Sequence, residues 1–147
     1  MPATLQNILQ KIKTDSTVVE LQGLSGSSKA LVVSMLSQIP EQPAEKIMPL
    51  VVVCESFDVA EVLLNDLYYF FGKEGVHFFP FWDVLPFDNF SPHKGLVAQR
   101  FKTLDALLNS EVRVLITTPN GMMQRFLPRA AFQKNTLSLS TDFVGGK

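Results

Sequence analysis

The segment Gly23-Leu24-Ser25-Gly26-Ser27-Ser28-Lys29-Ala30 decides the fold, because it places a glycine-rich turn between a predicted strand and a predicted helix. The β-branched residues at positions 17–21 predict the short strand before the turn. The apolar run at positions 30–36 predicts a buried helix after it. A strand, a glycine turn and a helix in this order are the setting of a phosphate-binding loop.

This phosphate loop lacks two of its chemical parts. In the pattern G-x-x-x-x-G-K-[ST], the glycines turn backbone N–H groups toward phosphate oxygens, the lysine reaches the β- and γ-phosphates, and the Ser/Thr hydroxyl binds Mg²⁺. Gly23 and Lys29 fill their positions, but Ser28 replaces the second glycine and Ala30 replaces the Ser/Thr. Ala30 offers no oxygen to a metal, and the Cβ of Ser28 would strain any positive φ required there. The pattern therefore argues against hydrolysis of a Mg-nucleotide.

The candidate site is this degenerate loop, and we expect it to bind an anion weakly at most. Its residues are Gly23, Gly26, Ser27, Ser28, Lys29 and Ala30. A plain turn between strand and helix is the structural alternative, and a working nucleotide hydrolase with an unusual loop is the enzymatic one. Lys29 and the loop amides could hold a phosphate or sulfate without turnover.

No second motif supplies catalysis or a metal. The predicted strand 112–118 ends in Thr117-Thr118-Pro119, without the Asp-Glu pair that a helicase-type ATPase needs for Mg²⁺ and water. His77 and His93, the two histidines, are 16 residues apart and have no cysteine or acidic cluster beside them. We therefore predict no catalytic residue, no metal site and no cofactor within this chain.

The remaining pattern predicts an α/β fold. Further strands are expected at 50–54, 76–79 and 112–118, and helices are expected between them, one capped by Ser56 and ended by Gly72 and another starting at Ser91-Pro92. Strands that alternate with helices imply a parallel sheet with helices on both faces. A short helix is expected from Pro119 to about 125. Residues 135–140 alternate polar and apolar, as in a half-exposed strand.

Length and composition indicate which class of protein this chain belongs to. The chain has 147 residues, of which 46% are apolar and 18% charged, as in one compact globular domain. No apolar run reaches the roughly 18 residues of a membrane-spanning helix, and the N-terminus lacks the layout of a signal peptide. Cys54 lies alone in an apolar run, which favours a buried structural thiol. These features predict a cytoplasmic protein with no membrane partner.

Charge is divided between the two parts of the chain. Residues 1–89 carry 5 Lys/Arg and 11 Asp/Glu, a balance of −6, whereas residues 90–147 carry 8 and 3, a balance of +5. Such an asymmetry can mark a partner surface, but two ordinary solvated faces are the favoured interpretation. Arg100, Lys102, Arg125 and Arg129 could form a modest basic face for a partner or for the DNA backbone. A nucleic-acid-binding module is therefore a further alternative.

The segment 80–92, PFWDVLPFDNFSP, holds three prolines and four aromatic residues. Aromatic rings can stack on bases, but no Lys or Arg lies between Lys73 and Lys94 to bind phosphates. We therefore expect this segment to pack on the sheet.

Three stretches resemble a known family. Residues 81–93 are strongly similar to the W-x-x-L-P-Y-D-x-F-S-P-H region of the bacterial transcription-repair coupling factors. Residues 114–119, followed by Met122-Met123-Gln124-Arg125, also resemble the N-terminal module of that family. Residues 21–36 resemble the first phosphate-loop region of the repair helicase subunit UvrB. Together the resemblance covers roughly residues 15–135, and the aromatic-proline motif is its specific part.

The resemblance implies a fold and a function. The fold would be that of a P-loop NTPase of the RecA type, as in UvrB domain 1a, in degenerate form. Residues 1–128 would form the UvrB-like α/β domain, and residues 129–147 would begin an inserted domain. Its implied role is a non-catalytic module that recruits UvrA, so that removal of stalled RNA polymerase is coupled to nucleotide excision repair. ATP and Mg²⁺ would act in a DNA translocase downstream, with RNA polymerase and DNA as partners of the whole polypeptide. The alternative is an ATP-binding P-loop NTPase or helicase domain that acts on DNA.

Two points limit what is carried over from the family. UvrB has a long aromatic hairpin after its third strand for gripping damaged DNA, whereas here Pro92 runs almost directly into a helix. That difference favours the coupling factors over UvrB. The UvrA-contacting segment of the family is expected mainly after about residue 125, so no UvrA-contact residue is assigned.

Overall fold

The computed structural model describes residues 18–38, 48–84 and 90–136. Five helices and three strands lie in these ranges. In chain order they are α1 (Ser28–Ser37), β1 (Leu50–Val53), α2 (Phe57–Phe71), β2 (Val76–Phe79), α3 (Lys94–Leu108), β3 (Val114–Thr117), α4 (Pro119–Met123) and α5 (Arg129–Asn135). None of the described helices is long and apolar enough to cross a membrane.

The three strands form one parallel sheet in the order β1-β3-β2. The last strand in sequence is therefore central, and in register Val52, Ile116 and Phe78 lie side by side across the sheet. Parallel neighbours need crossover connections, which α2 and α3 supply. The predicted α/β fold with a parallel, helix-flanked sheet is confirmed, and the likeness to P-loop NTPases stays a prediction.

Helices cover the sheet on two sides. One layer, made by α1 and α2, buries the main core, and its members alternate along each strand as a sheet face requires. The core consists of Ala30, Cys54, Ala60, Leu63, Leu67, Val76, Phe78, Val114 and Ile116. On β2, Phe79 points away from Phe78, and there α3 packs with its Thr103 hydroxyl donating to the Phe78 carbonyl at 3.1 Å.

Local chemistry sets most helix ends. Ser56 accepts a hydrogen bond from the Val59 N–H at 3.3 Å, and α2 ends at Gly72, whose φ of 72° suits a residue without Cβ. The predicted start of α3 at Ser91-Pro92 is wrong by two residues. His93 is the cap instead, because its Nδ1 accepts from the Gly95 N–H at 3.2 Å.

Other sequence predictions need correction. Residues 18–21 are irregular rather than a strand, since no described strand shares a backbone hydrogen bond with them, and Val18 is 100% exposed. Strand 112–118 shortens to Val114–Thr117, and the helix from Pro119 stops at Met123. Asn135 ends a helix rather than starting a strand.

Some expectations lie outside the described ranges. They are the helix at 5–12, the connection at 39–47, the middle of the aromatic-proline segment at 85–89, and the predicted strand beyond 136. The domain boundary at 128 stays a prediction. Beyond it, α5 contacts the α/β domain through Phe132, whose ring stacks on Phe101 with 5.7 Å between centroids.

Candidate functional site

The glycine loop has the shape that its sequence predicts. Gly23 and Gly26 have φ values of 80° and 53°, in the left-handed region that favours glycine, and α1 begins two residues after Gly26. The loop thus turns the chain directly into a helix N-terminus, where the backbone dipole favours an anion.

Ser28 closes this loop instead of straining it. Its N–H and its hydroxyl both donate to the Ser25 carbonyl, at 3.2 and 2.6 Å. Ser28 is already helical and has no positive φ, so the backbone strain expected at this position does not arise; Gly26 provides the left-handed residue. The N–H of Ser28 is therefore engaged inside the loop rather than offered to a phosphate.

Ala30 belongs to the hydrophobic core. Its side chain is 0% exposed and packs in the cluster that contains Leu63 and Ile116. A P-loop places its Mg²⁺-binding hydroxyl at this position, whereas here the position supports packing of α1 onto the sheet layer. Within the described residues, no group of three or more His, Cys, Asp or Glu side chains could hold a metal.

Lys29 is exposed at the start of α1, near the end of β1. Burial raises the pKa of the Cys54 thiol, and the charge of Lys29 partly opposes that rise. Cys54 directly follows β1, and its N–H donates to the Thr117 carbonyl at 2.8 Å. The loop therefore lies at the carboxyl ends of β1 and β3, the edge at which open α/β sheets bind ligands.

The carboxyl end of the central strand carries two threonines with structural tasks. The buried Thr117 hydroxyl donates to the Phe79 carbonyl at 2.9 Å and so links β3 to β2. Thr118 caps α4, where its Oγ1 accepts from the Gly121 N–H at 3.3 Å. A P-loop hydrolase uses an acidic residue near its Mg²⁺, and no acidic residue follows this strand before Pro119.

Arg100 does not join the predicted basic face. It is only 2% exposed, and its guanidinium lies over the rings of Phe79 and Trp82, at 4.1 and 4.5 Å from their centroids. Its Nη1 donates to the carbonyl of Pro80 and to Oε1 of Gln124. The same Oε1 accepts from the Trp82 N–H at 2.7 Å. Burial lowers the pKa of the guanidinium.

The spacing of residues along α3 is the sequence signal for the burial of Arg100, and the expectation of a basic face overlooks it. Arg100, Thr103 and Ala106 form the buried stripe of this helix, whereas the aromatic Phe101 is 45% exposed. The charge of Arg100 indicates a surface position, but Arg100 lies at the i and i+3 spacing of the buried side. Lys102, Arg125 and Arg129 are exposed, as predicted.

The predicted packing of the aromatic-proline segment holds for part of it. Pro80 is buried, and Phe81 and Trp82 are half-buried against the domain, whereas Phe90 is exposed. Phe87 lies outside the described residues. The first half of the segment thus acts as a support for Arg100 and for the residues after α4.

Fold and site together define an α/β domain with a glycine loop at the carboxyl edge of a parallel sheet, with Ala30 in the first turn of the following helix and Thr117-Thr118 at the end of the central strand. In sequence, the chain is similar to transcription-repair coupling factors of diverse bacteria, which confirms the resemblance inferred from residues 81–93. Identity is 31% over 78 residues with that of Rickettsia prowazekii, 52% of this chain and 7% of the relative. With that of Escherichia coli K12 it is 38% over 56 residues, 38% and 5%. With that of Staphylococcus aureus NCTC 8325 it is 23% over 133 residues, 87% and 11%.

The matched part is thus about a tenth or less of the length of these relatives. No family model matches the chain.

Proposed function

We propose that this chain is a non-catalytic N-terminal module of a cytoplasmic transcription-repair coupling factor, which couples removal of stalled RNA polymerase to nucleotide excision repair by recruiting UvrA. The observation that carries the proposal is the burial of Ala30 in the core. It supports a loop kept for folding rather than for nucleotide chemistry. ATP, Mg²⁺ and DNA translocation belong, in this proposal, to motor domains elsewhere in the polypeptide.

The end of β3 supports the same conclusion. The Thr117 hydroxyl donates to the Phe79 carbonyl, and the Thr118 hydroxyl accepts from the Gly121 N–H. Neither carries a carboxylate that could take a proton from an attacking water. With no acidic group at this strand end and no hydroxyl at position 30, phosphoryl transfer would lack both its metal ligands and its water-positioning group.

The alternative, an ATP-binding NTPase or helicase domain, draws on one observation. Gly23 and Gly26 keep left-handed backbones, and Lys29 stands exposed at the start of α1. These parts suit an anion, and they fit a nucleotide phosphate only if the nucleotide binds without a protein-bound metal. The two functions therefore differ in a measurable way.

Titration calorimetry with Mg-ATP, followed by an assay of phosphate release, separates them. We expect no turnover and no binding at micromolar concentration, in the chain as it stands and in Lys29→Ala. Micromolar binding with turnover that Lys29→Ala abolishes would establish the NTPase alternative and refute the adaptor proposal.

Recruitment is tested in a longer polypeptide that carries this module together with its motor. We expect deletion of the module to abolish capture by immobilised UvrA, while ATP-driven movement on DNA continues. Unchanged UvrA capture after deletion would disprove the recruiting role.

A further inference from the structure

A cleft of about 260 Å³ lies between α3 and the segment that follows α4. Apolar and cationic side chains line it. They are Trp82, Arg100, Phe101, Leu104, Arg125, Phe126 and Leu127. None of them is acidic, and the cleft is separate from the glycine loop. We call it the Trp82–Leu127 cleft.

The base of this cleft carries a buried positive charge, and no counter-charge to it lies among residues 18–38, 48–84 and 90–136. Arg100 uses Nη1 for Pro80 and Gln124, but its Nη2 is buried and has no hydrogen-bond partner in the part of the chain that the structure describes. Burial lowers its pKa, and no described acidic side chain acts against that change. A buried charge without a partner costs free energy, and its field extends through the poorly screened surroundings into the cleft.

The rim of the cleft is apolar and adds a second cation. Phe126 is 60% exposed and Leu127 and Phe101 are partly exposed, although the Phe126 ring still contacts Phe79 edge-on at 6.2 Å. Arg125 is exposed between these apolar residues. Large apolar side chains grouped beside an arginine are the composition of a protein-interaction surface.

The sequence that supplies most of the cleft is also basic. Residues 90–136 carry seven Lys/Arg, among them the buried Arg100 and the distant Arg113, and two Asp/Glu, a balance of +5, and neither Asp105 nor Glu111 lines the cleft. A partner that neutralises this field must be acidic, and one that covers Phe126 and Leu127 must also be apolar.

We propose that the Trp82–Leu127 cleft docks an acidic peptide segment of a partner protein, in which Asp or Glu side chains face Arg125 and the field of Arg100 while neighbouring apolar side chains cover Phe126 and Leu127. Five of the seven lining residues are apolar, which suits a peptide better than a phosphate backbone, whose recognition needs a row of cations. The inference deepens the proposed adaptor role and rests on it, since docking gives a non-catalytic module its work.

Selection from a displayed library of random 12-residue peptides tests this proposal directly. We expect enrichment of sequences with Asp or Glu beside Leu, Ile, Phe or Trp. Peptides synthesised from that pool should bind Arg125→Glu and Phe126→Ser about tenfold more weakly or worse, the size of effect for a lost interfacial charge or anchor. Arg113→Glu is the matched control, because Arg113 is exposed before β3 at the opposite edge of the sheet, and it should leave affinity unchanged.

Three results would overturn the proposal. They are a selection that enriches no acidic-apolar pattern, binding that is insensitive to Arg125→Glu and Phe126→Ser in variants with unchanged circular dichroism, and duplex DNA that competes for the cleft. Sedimentation of the chain alone tests whether a second copy fills the cleft instead. A chain that self-associates and that Arg125→Glu dissociates would also overturn the proposal, because another copy would then occupy the cleft. The Mg-ATP titration is independent of these readouts, so failure of the docking site and failure of the adaptor role are distinguishable.

Discussion

At the scale of single residues, Arg100 connects parts of the chain that are distant in sequence. Its guanidinium lies against Phe79 and Trp82, and its hydrogen bonds reach the Pro80 carbonyl and Gln124. Cation–π contact with two rings compensates part of the desolvation of the charge. One side chain of α3 thus fixes both the end of β2 and the residues that follow α4, which together form the cleft.

Gly121 is the residue at which an added methyl group should be least tolerated. A Cβ there would lie 2.5 Å from Oγ1 of Thr117 and 3.1 Å from the Phe79 carbonyl. Both groups are buried and hydrogen-bonded to each other. We expect Gly121→Ala to lower the free energy of unfolding by about 1–3 kcal/mol, as overpacking does, in urea denaturation followed by circular dichroism.

Gly95→Ala is the matched control for this glycine. Its Cβ would meet only the exposed imidazole of His93, at 3.1 Å, which can shift. Alanine favours a helix more than glycine does, whereas a shifted imidazole weakens the cap at the Gly95 N–H, so we expect a net change below about 1 kcal/mol. Equal losses in both variants would show that close packing at Gly121 is not the cause.

At the scale of elements, the caps decide where helices begin. Ser56 caps α2, whereas Ser91, the start expected from sequence for α3, makes no side-chain hydrogen bond among the described residues. We expect Ser56→Ala to cost about 1 kcal/mol of stability, since the Val59 N–H loses its acceptor. Ser91→Ala should change the free energy of unfolding, measured by urea denaturation, by less than about 0.5 kcal/mol. A larger loss for Ser91→Ala than for Ser56→Ala would contradict the assignment of the caps.

The elements also show what the sequence could predict. Apolar periodicity located α1, α2, β1 and β2, because each buries a regular stripe or run in the core. It could not locate the His93 cap, which depends on an imidazole orientation that local pattern does not encode. The β-branched residues predict a strand at 17–21, but a strand also needs a neighbour with which to pair, and the described part, 18–21, has none among the described strands.

The sequence predicts which chemical groups the glycine loop lacks, but it does not predict how distant residues come together in space. Missing groups at positions 28 and 30 can be read from the sequence, and Ala30 proves to be a core residue. The Trp82–Leu127 cleft could not be read, because its members come from three separate segments. The charge of its central residue, Arg100, indicates a surface position, whereas tertiary contacts with Phe79 and Trp82 bury this side chain.

At the scale of the whole molecule, the two candidate sites lie at different places around one small sheet. The glycine loop lies by the ends of β1 and β3, where Cys54 donates to Thr117. The Trp82–Leu127 cleft lies on the side of α3 and β2. Because β3 is central and bonds to both outer strands, the two regions share one rigid support, and a change in one need not alter the other. Lys29→Ala should therefore leave peptide binding at the cleft unchanged, and Arg125→Glu should leave the Mg-ATP titration unchanged.

Global stability should fall as the pH drops below about 6.5, through His77. This histidine is half-buried on β2, and its pKa lies below the ordinary value of 6.5 because burial and, to a lesser extent, Lys102 disfavour the imidazolium, while Glu111 opposes them weakly. A lowered folded-state pKa means that the unfolded chain takes up a proton first, so the stability present above pH 6.5 is lost as the pH falls toward the folded-state value. Urea midpoints measured between about pH 7.5 and 5.5 should decline in the native chain and in His93→Gln, but stay nearly level in His77→Gln. If His77→Gln keeps the full decline, a group other than His77 carries the proton linkage and half-burial on β2 does not control the pH response of this domain.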